Sequence, residues 1–170
     1  DDRVLVLGAS GFVGGIAVQA AKLLGARQVV GAARRPEAIR FADAAVALDA
    51  LADAFPGQGP SVVIDPLWGE PVAAAAAVAA PRARIVHLGQ AAGAEATFAS
   101  ATVRGKQLRI LGHSNFGLTA EERNRAYAEL IEHVSAGRIS IELETFPLDR
   151  VAEAWEHQAS GAGKAVVTLG

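Results

Sequence analysis

Seven residues near the start of the chain, Gly8-Ala9-Ser10-Gly11-Phe12-Val13-Gly14, do most to limit what it can fold into. They stand between an apolar run, Val4 to Leu7, and a stretch in which Phe12, Ile16 and Leu23 recur at helical spacing until Gly25. Glycines three apart at a strand-to-helix junction let the backbone turn tightly, approach another group without a Cβ in the way, and pack helix closely on strand. The helix that starts there offers free N–H groups and a partial positive charge to an anion. G-x-x-G-x-x-G in this context therefore predicts a phosphate-binding turn, against the plainer reading of a tight turn with no ligand.

Five further apolar runs follow: Gln28 to Ala32, Ala45 to Leu48, Ser61 to Ile64, Arg84 to Leu88 and Leu108 to Leu111. Helix-compatible stretches separate them, among them Ala50 to Phe55 and Pro71 to Ala80. Short continuous apolar runs alternating with helices predict an α/β fold: a doubly wound parallel sheet between two helical layers, in strand order 3-2-1-4-5-6. Thr119-Ala120-Glu121-Glu122 then reads as a capping box opening a long amphipathic helix through Tyr127, Leu130 and Val134 to Gly137. Beyond it lie an alternating strand, Ile139 to Phe146, a helix from Asp149 to about Gln158, the turn Gly161-Ala162-Gly163, and a last strand, Ala165 to Leu169.

Composition narrows the classes. With 170 residues, 51% of them hydrophobic and 20% charged, the chain is too apolar to be disordered. Sixteen basic and eighteen acidic residues are scattered to a net charge of −2, which argues against nucleic acid and anionic membrane as partners. The longest apolar stretch, Val72 to Ala80, ends at Pro81 and falls short of the ~20 residues of a membrane helix. Cysteine is absent, which excludes disulfides, thiolate metal ligands and thiol nucleophiles from these residues and leaves a cytoplasmic home as the expectation. The chain opens on Asp1-Asp2 and has no methionine, as a piece of a longer polypeptide would.

The end of the second strand bears on which ligand the turn holds. An NAD site places Asp or Glu about 20 residues past the turn, on the ribose 2′-OH. Here Val29-Val30-Gly31-Ala32-Ala33 runs instead into Arg34-Arg35-Pro36, two guanidinium groups where a 2′-phosphate would lie. NADP(H) is the expected cofactor; the plainer reading is two solvated arginines beside a turn.

With these residues in hand, the chain resembles the cofactor-binding domain of the medium-chain dehydrogenase/reductase superfamily, nearest its zinc-independent quinone oxidoreductase and enoyl reductase members. The resemblance rests on the segment from Val4 to Gly14, on Ala17-Val-Gln-Ala-Ala-Lys-Leu-Leu-Gly25, and on Val62-Val-Ile-Asp-Pro-Leu-Trp-Gly69. It continues in Arg84-Ile-Val-His-Leu-Gly89, Leu108-Arg-Ile-Leu-Gly112, Phe146 to Trp155, and Gly163-Lys-Ala-Val-Val167. It implies a Rossmann-type dinucleotide-binding domain over residues 1–137 and, over 138–170, a strand-helix-strand segment that belongs with a catalytic domain outside this chain. It also implies roles along the carboxyl edge of the sheet. Gly8, Ser10, Gly11, Phe12, Val13 and Gly14 would meet the pyrophosphate, Arg34 and Arg35 the adenosine phosphate, and Asp65, Pro66 and Leu67 the sugar. Leu88, Gly89 and Gln90 would flank the nicotinamide together with Gly112, His113 and Ser114.

Hydride transfer asks the protein chiefly to position two reactants, so few catalytic side chains are expected and none is assigned. His87 and His113 close two strands on the ligand side, where either could face a substrate or be satisfied locally. His133 and His157 share no metal-ligand spacing with them, and no metal is expected. Tyr127 has Ile131, not Lys, four residues on, which removes the Tyr-x-x-x-Lys dyad of short-chain reductases. Ser10 and Ser114 lack the setting of a nucleophile, and Trp68 reads as a core anchor. The expected function is the NADPH-binding part of an oxidoreductase that passes hydride to a small quinone, enone or enoyl thioester, inactive without its substrate domain. A non-catalytic NADP(H)-binding or sensing module, the cofactor domain of a zinc-dependent alcohol dehydrogenase, and a homodimer paired through the sixth strand all stay open. Replacing Arg34 and Arg35 together by Ala should abolish any preference for NADPH over NADH; an unchanged ratio of the two dissociation constants would refute the assignment.

Overall fold

The computed structural model describes residues 1–161 and 163–170 and divides into two compact units, Asp1–Ile139 and Ser140–Gly170. In the first, strands β1 (Arg3–Leu7), β2 (Gln28–Ala33), β3 (Ala44–Ala47), β4 (Val62–Asp65), β5 (Arg84–His87) and β6 (Arg109–Gly112) form one sheet in the order β3-β2-β1-β4-β5-β6. Every pairing is parallel. The expected order is thus the observed one, and the winding reverses between β1 and β4, where such sheets form a crevice at their carboxyl ends.

Alternation along the strands splits the core into two layers. Leu5, Leu7, Val30, Ala32, Val63 and Ile85 face helix α2 (Gly69–Val78) and pack with its Val72, Ala75 and Ala76 and with Phe55. Val4, Val6 and Val29 face the other way, against Val18 of helix α1 (Phe12–Leu23). Small side chains on α1 and the Ala-rich packed face of α2 let both helices lie close to the sheet. Helix α1 stops as anticipated: Gly25 takes φ +83°, and the Gly25 and Ala26 N–H groups donate to the carbonyls of Lys22 and Ala21. Helix α2 is closed by a distant residue, since Lys106 Nζ donates to the Ala77 and Ala79 carbonyls at its C-terminal end.

Several elements depart from the sequence expectation. Ala50 to Phe55 forms only a 3-10 turn, Leu51–Ala54, because it offers a single apolar turn and no cap. Helix α2 begins at Gly69 rather than Pro71, with Trp68 in extended left-handed backbone ahead of it. Helix α3 (Ser100–Lys106) has no signature in the sequence: it is two turns long, carries Gly105, and ends in left-handed Gln107. Strand β6 lies exposed along its length as the edge of the sheet. The capping box is present, with Thr119 and Glu122 bonded reciprocally, and it opens helix α4 (Ala120–Ser135). That helix buries no residue, however, and Tyr127 and Ile131 on its apolar stripe are exposed.

In the second unit, β7 (Leu143–Pro147) and β8 (Lys164–Thr168) pair in parallel, joined by helix α5 (Val151–Ser160). Strand β7 starts four residues later than the alternation suggests, and β8 one residue earlier than expected. Phe146 and Ala154 are its buried apolar residues. Ala162, in the expected turn before β8, lies outside the described residues.

Charged ties fasten the first sheet at its amino-terminal edge. Asp43 accepts from Lys22 Nζ at 2.6 Å and from the Val29 N–H at 2.7 Å, joining α1, β2 and the approach to β3. The Lys22 bond, with the Val29 N–H behind it, holds the Asp43 carboxyl below the usual carboxylate range. Its support is therefore complete above the ordinary Asp pKa and is lost as pH falls through the lowered one. Asp43→Asn should cost about 0.5–1 kcal/mol near neutral pH, water screening a half-exposed pair, and in urea unfolding repeated at successively lower pH the gap from wild type should begin to narrow only below the ordinary Asp range.

Candidate functional site

The site is built from the loops that leave the strands at their carboxyl ends. After β1, Gly8 adopts φ +65°, the Gly11 N–H donates to the Gly8 carbonyl at 2.9 Å, and the Ala9 N–H donates to the Ala32 carbonyl of β2 at 3.1 Å. Helix α1 then rises so close to this turn that a Cβ on Gly14 would stand 2.2 Å from the Gly8 oxygen and 2.7 Å from the Ala9 Cα. No side chain caps α1 and no acidic residue occupies its first turn, so its positive end faces outward with Ser10, Gly11, Phe12 and Val13 exposed around it. A helix end left open in this way can form a cradle for an anion.

Gly31, in the middle of β2, belongs to the same device, although the sequence reading assigns it no role. A Cβ there would lie 2.8 Å from Ala9 Cβ and 2.7 Å from Ile39 Cγ2. Glycine inside an apolar strand is the signal that marks such close approaches. Beyond β2, Arg34 and Arg35 are exposed; the Arg35 carbonyl accepts from the Ala38 N–H, but among the described residues neither guanidinium forms an ion pair or hydrogen bond.

The loops after β4, β5 and β6 are laced to one another. Leu88 N–H donates to the Asp65 carbonyl at 2.8 Å and Ala92 N–H to the Leu67 carbonyl at 2.8 Å, while His113 N–H donates to the His87 carbonyl at 2.9 Å. Leu67 and Pro66 lean on the glycine turn, their side chains 3.2 and 3.5 Å from where a Gly8 Cβ would be. The structure thus brings Gly8 to Gly14, Arg34-Arg35, Asp65 to Leu67, Leu88 to Gln90 and Gly112 to Ser114 onto one edge. Their exposures differ: Asp65 is wholly buried, Ala9 and Gly14 are buried, Gly8, Pro66, Leu67, Leu88 and Gly89 are half-buried, and the rest of these loops is open.

Asp65 does not offer its side chain outward. One carboxylate oxygen, Oδ1, accepts from the N–H groups of Leu67 and Trp68 at 2.9 and 2.8 Å. The other, Oδ2, lies 3.3 Å from His87 Nδ1. His87 is therefore engaged inside the domain, and Trp68 stacks on its ring at 4.1 Å while meeting Phe98 edge-on at 5.7 Å. Trp68 packs against the α2-side core, as expected of an anchor. His113 stands apart, its Nε2 3.2 Å from Asn115 Oδ1 on an exposed loop. An apolar groove of about 420 Å³ lies elsewhere, along the α1-side face of the sheet between Ala21 and Leu24 of the helix region and Val62, Ile64, Val86 and Leu111 of the strands. It is no part of this edge.

A family model described as zinc-binding dehydrogenase matches residues 24–167. No curated protein matches the sequence at a significant level. Among solved structures, a mycobacterial quinone oxidoreductase superposes at TM-score 0.86 and 22% identity, over 99% of this chain and 56% of its own. A thermostable alcohol dehydrogenase from Pyrobaculum aerophilum does so at 0.79 and 29%, over 99% and 50%. An oxidoreductase from Salmonella enterica in complex with NADP does so at 0.82 and 20%, over 100% and 55%. The chain spans about half the length of these structures. For all the zinc in the family's description, no group of three or more His, Asp or Glu side chains among the described residues could hold a metal.

The close contact at Gly14 is open to a direct test. Elsewhere in a helix Gly→Ala is favourable, but Gly14→Ala should cost about 1–3 kcal/mol by forcing backbone apart. Gly112→Ala, with nothing within 4 Å of the added carbon, should leave the thermal midpoint where it is. Equal midpoints for both variants would contradict the geometry.

Proposed function

The chain belongs to the zinc-binding dehydrogenase family, and from that premise we propose that it is the NADP(H)-binding domain of an oxidoreductase whose acceptor is a quinone, enone or enoyl thioester. The observation that carries the choice of cofactor is the exposed, unpaired Arg34-Arg35 at the tip of β2, one loop from the glycine cradle, on a strand that ends in Ala33 rather than a carboxylate. Two guanidinium groups suit a 2′-phosphate that a ribose-binding Asp would repel. The NADP held by the Salmonella structure of the same fold supports it.

The cradle fits the pyrophosphate, since the end of α1 carries no side-chain cap and no acidic residue and lies open around Ser10 to Val13, where phosphate oxygens can reach backbone N–H groups. When bound, the cofactor supplies the hydride. The residues of this chain do the rest by placement. Pro66 and Leu67 form the wall across the crevice from the cradle, and the loops at Leu88 to Gln90 and Gly112 to Ser114 present backbone groups with which to orient the nicotinamide. No step is assigned to a metal. The exposed edge of β6 supports pairing with a second copy of the domain.

A second reading, the cofactor domain of an alcohol dehydrogenase, is favoured by the 29% identity to the Pyrobaculum enzyme. It leaves the cofactor edge unchanged and differs in the acceptor. Titration with NADPH and with NADH, followed by cofactor fluorescence at low and moderate salt, tests the shared claim. NADPH should bind at least about tenfold more tightly and weaken as salt rises, as exposed charges require. Equal affinities, or no binding of either, would overturn it.

A further inference from the structure

We propose that Asp65 and His87 act as a positioning pair that sets the wall of the crevice at the β1/β4 switch point, and through it the affinity for the half of the cofactor beyond the pyrophosphate. The inference rests on the reading of this edge as an NADP(H) site. It assigns neither residue a contact with the cofactor.

The two residues close neighbouring strands and face each other in register, Asp65 of β4 opposite His87 of β5. A carboxylate at 0% exposure is tolerable only with its oxygens engaged, and an apolar side chain would spare its desolvation altogether. What the carboxylate achieves here is local. It draws in the N–H groups of Leu67 and Trp68, which the turn leaves without other partners, and so pins the loop between β4 and α2. His87 Nδ1 stands 3.3 Å from the remaining oxygen and keeps the carboxylate aimed.

The backbone shows that the loop is held against its preference. Trp68 sits at φ +58° and ψ −159°, a region that glycine occupies readily and other residues rarely do. Its N–H is tied to Asp65 and its ring lies on His87, so both ends of the pair hold it there. The far side of the same loop carries Leu67 and Pro66, which rest on the glycine turn. A change at His87 therefore reaches the crevice wall through Asp65 and the loop, while Arg34 and Arg35, at the end of β2, are untouched.

Calorimetric titration of the full chain separates these claims. Wild type, His87→Leu and His87→Asn are each titrated with NADPH and with adenosine 2′,5′-bisphosphate, which carries the phosphorylated adenosine end and no nicotinamide. Asn places an amide nitrogen where Nδ1 was and can still donate to Asp65. His87→Leu should weaken NADPH by about tenfold or more, as loss of alignment does, and leave the bisphosphate within about twofold. His87→Asn should recover most of the NADPH affinity. Should His87→Leu fold poorly by its thermal midpoint, His87→Phe, which keeps a ring beside Trp68 and offers Asp65 no polar partner, should show the same selective loss. Unchanged NADPH binding in the Leu variant, an equal loss of both ligands, or no recovery with Asn overturns the pair. Failure of the wild type to bind either ligand overturns the cofactor reading and this inference with it.

Discussion

The Gly8 carbonyl lies so near Gly14 that one added carbon would stand 2.2 Å from it, and the rest of the carboxyl edge depends on that contact. Because the helix can come this close, its first turn opens directly onto the end of β1 instead of standing off behind a side chain. The same approach brings Ala9 onto β2, where Gly31 leaves it room, and sets Gly8 against Leu67 of the loop after β4. Three strands thus converge on one turn. A substitution at any of these glycines moves a wall of the crevice as well as a piece of the core.

Polar groups are used where they fix geometry. At one end of the strands, Asp43 and Asp2 are tied to Lys22, Ser61 and Arg84, half in water, and these ties pull both carboxyls below their usual range: Lys22 leads for Asp43 and the Ser61 hydroxyl for Asp2. At the other end Asp65 is buried and works through backbone N–H groups and a histidine. Among the described residues no buried side-chain nitrogen or oxygen lacks a partner. The exposed arginines beyond β2 are the contrast. Cations left without a partner beside an anion cradle stand ready for a ligand that brings its own charge.

The two compact units differ in how much they bury. The Asp1–Ile139 unit holds nearly all the buried apolar residues, whereas the Ser140–Gly170 unit holds two and leaves Leu143, Leu148, Val151 and Trp155 exposed. The amphipathic helix after β6 is in the same position: capped and periodic, yet buried nowhere along its length.

Sequence by itself determined the glycine turn, the strand order, the capping box at Thr119 and the arginines at the tip of β2. Each is written within a few neighbouring residues, as a periodicity or a steric demand of one backbone segment. The short helix Ser100–Lys106 left no such mark, having too few residues for a period and a left-handed Gln107 where glycine would have signalled the end. Only the tertiary structure decided that Asp65 serves its own loop rather than facing outward, that His87 is its partner, that Gly31 makes room for the turn, and that Lys106 closes a helix about 30 residues upstream. These are contacts between strands and helices brought together by the parallel register. The spacing along the chain that they bridge carries no local preference, so nothing short of the folded sheet could reveal them.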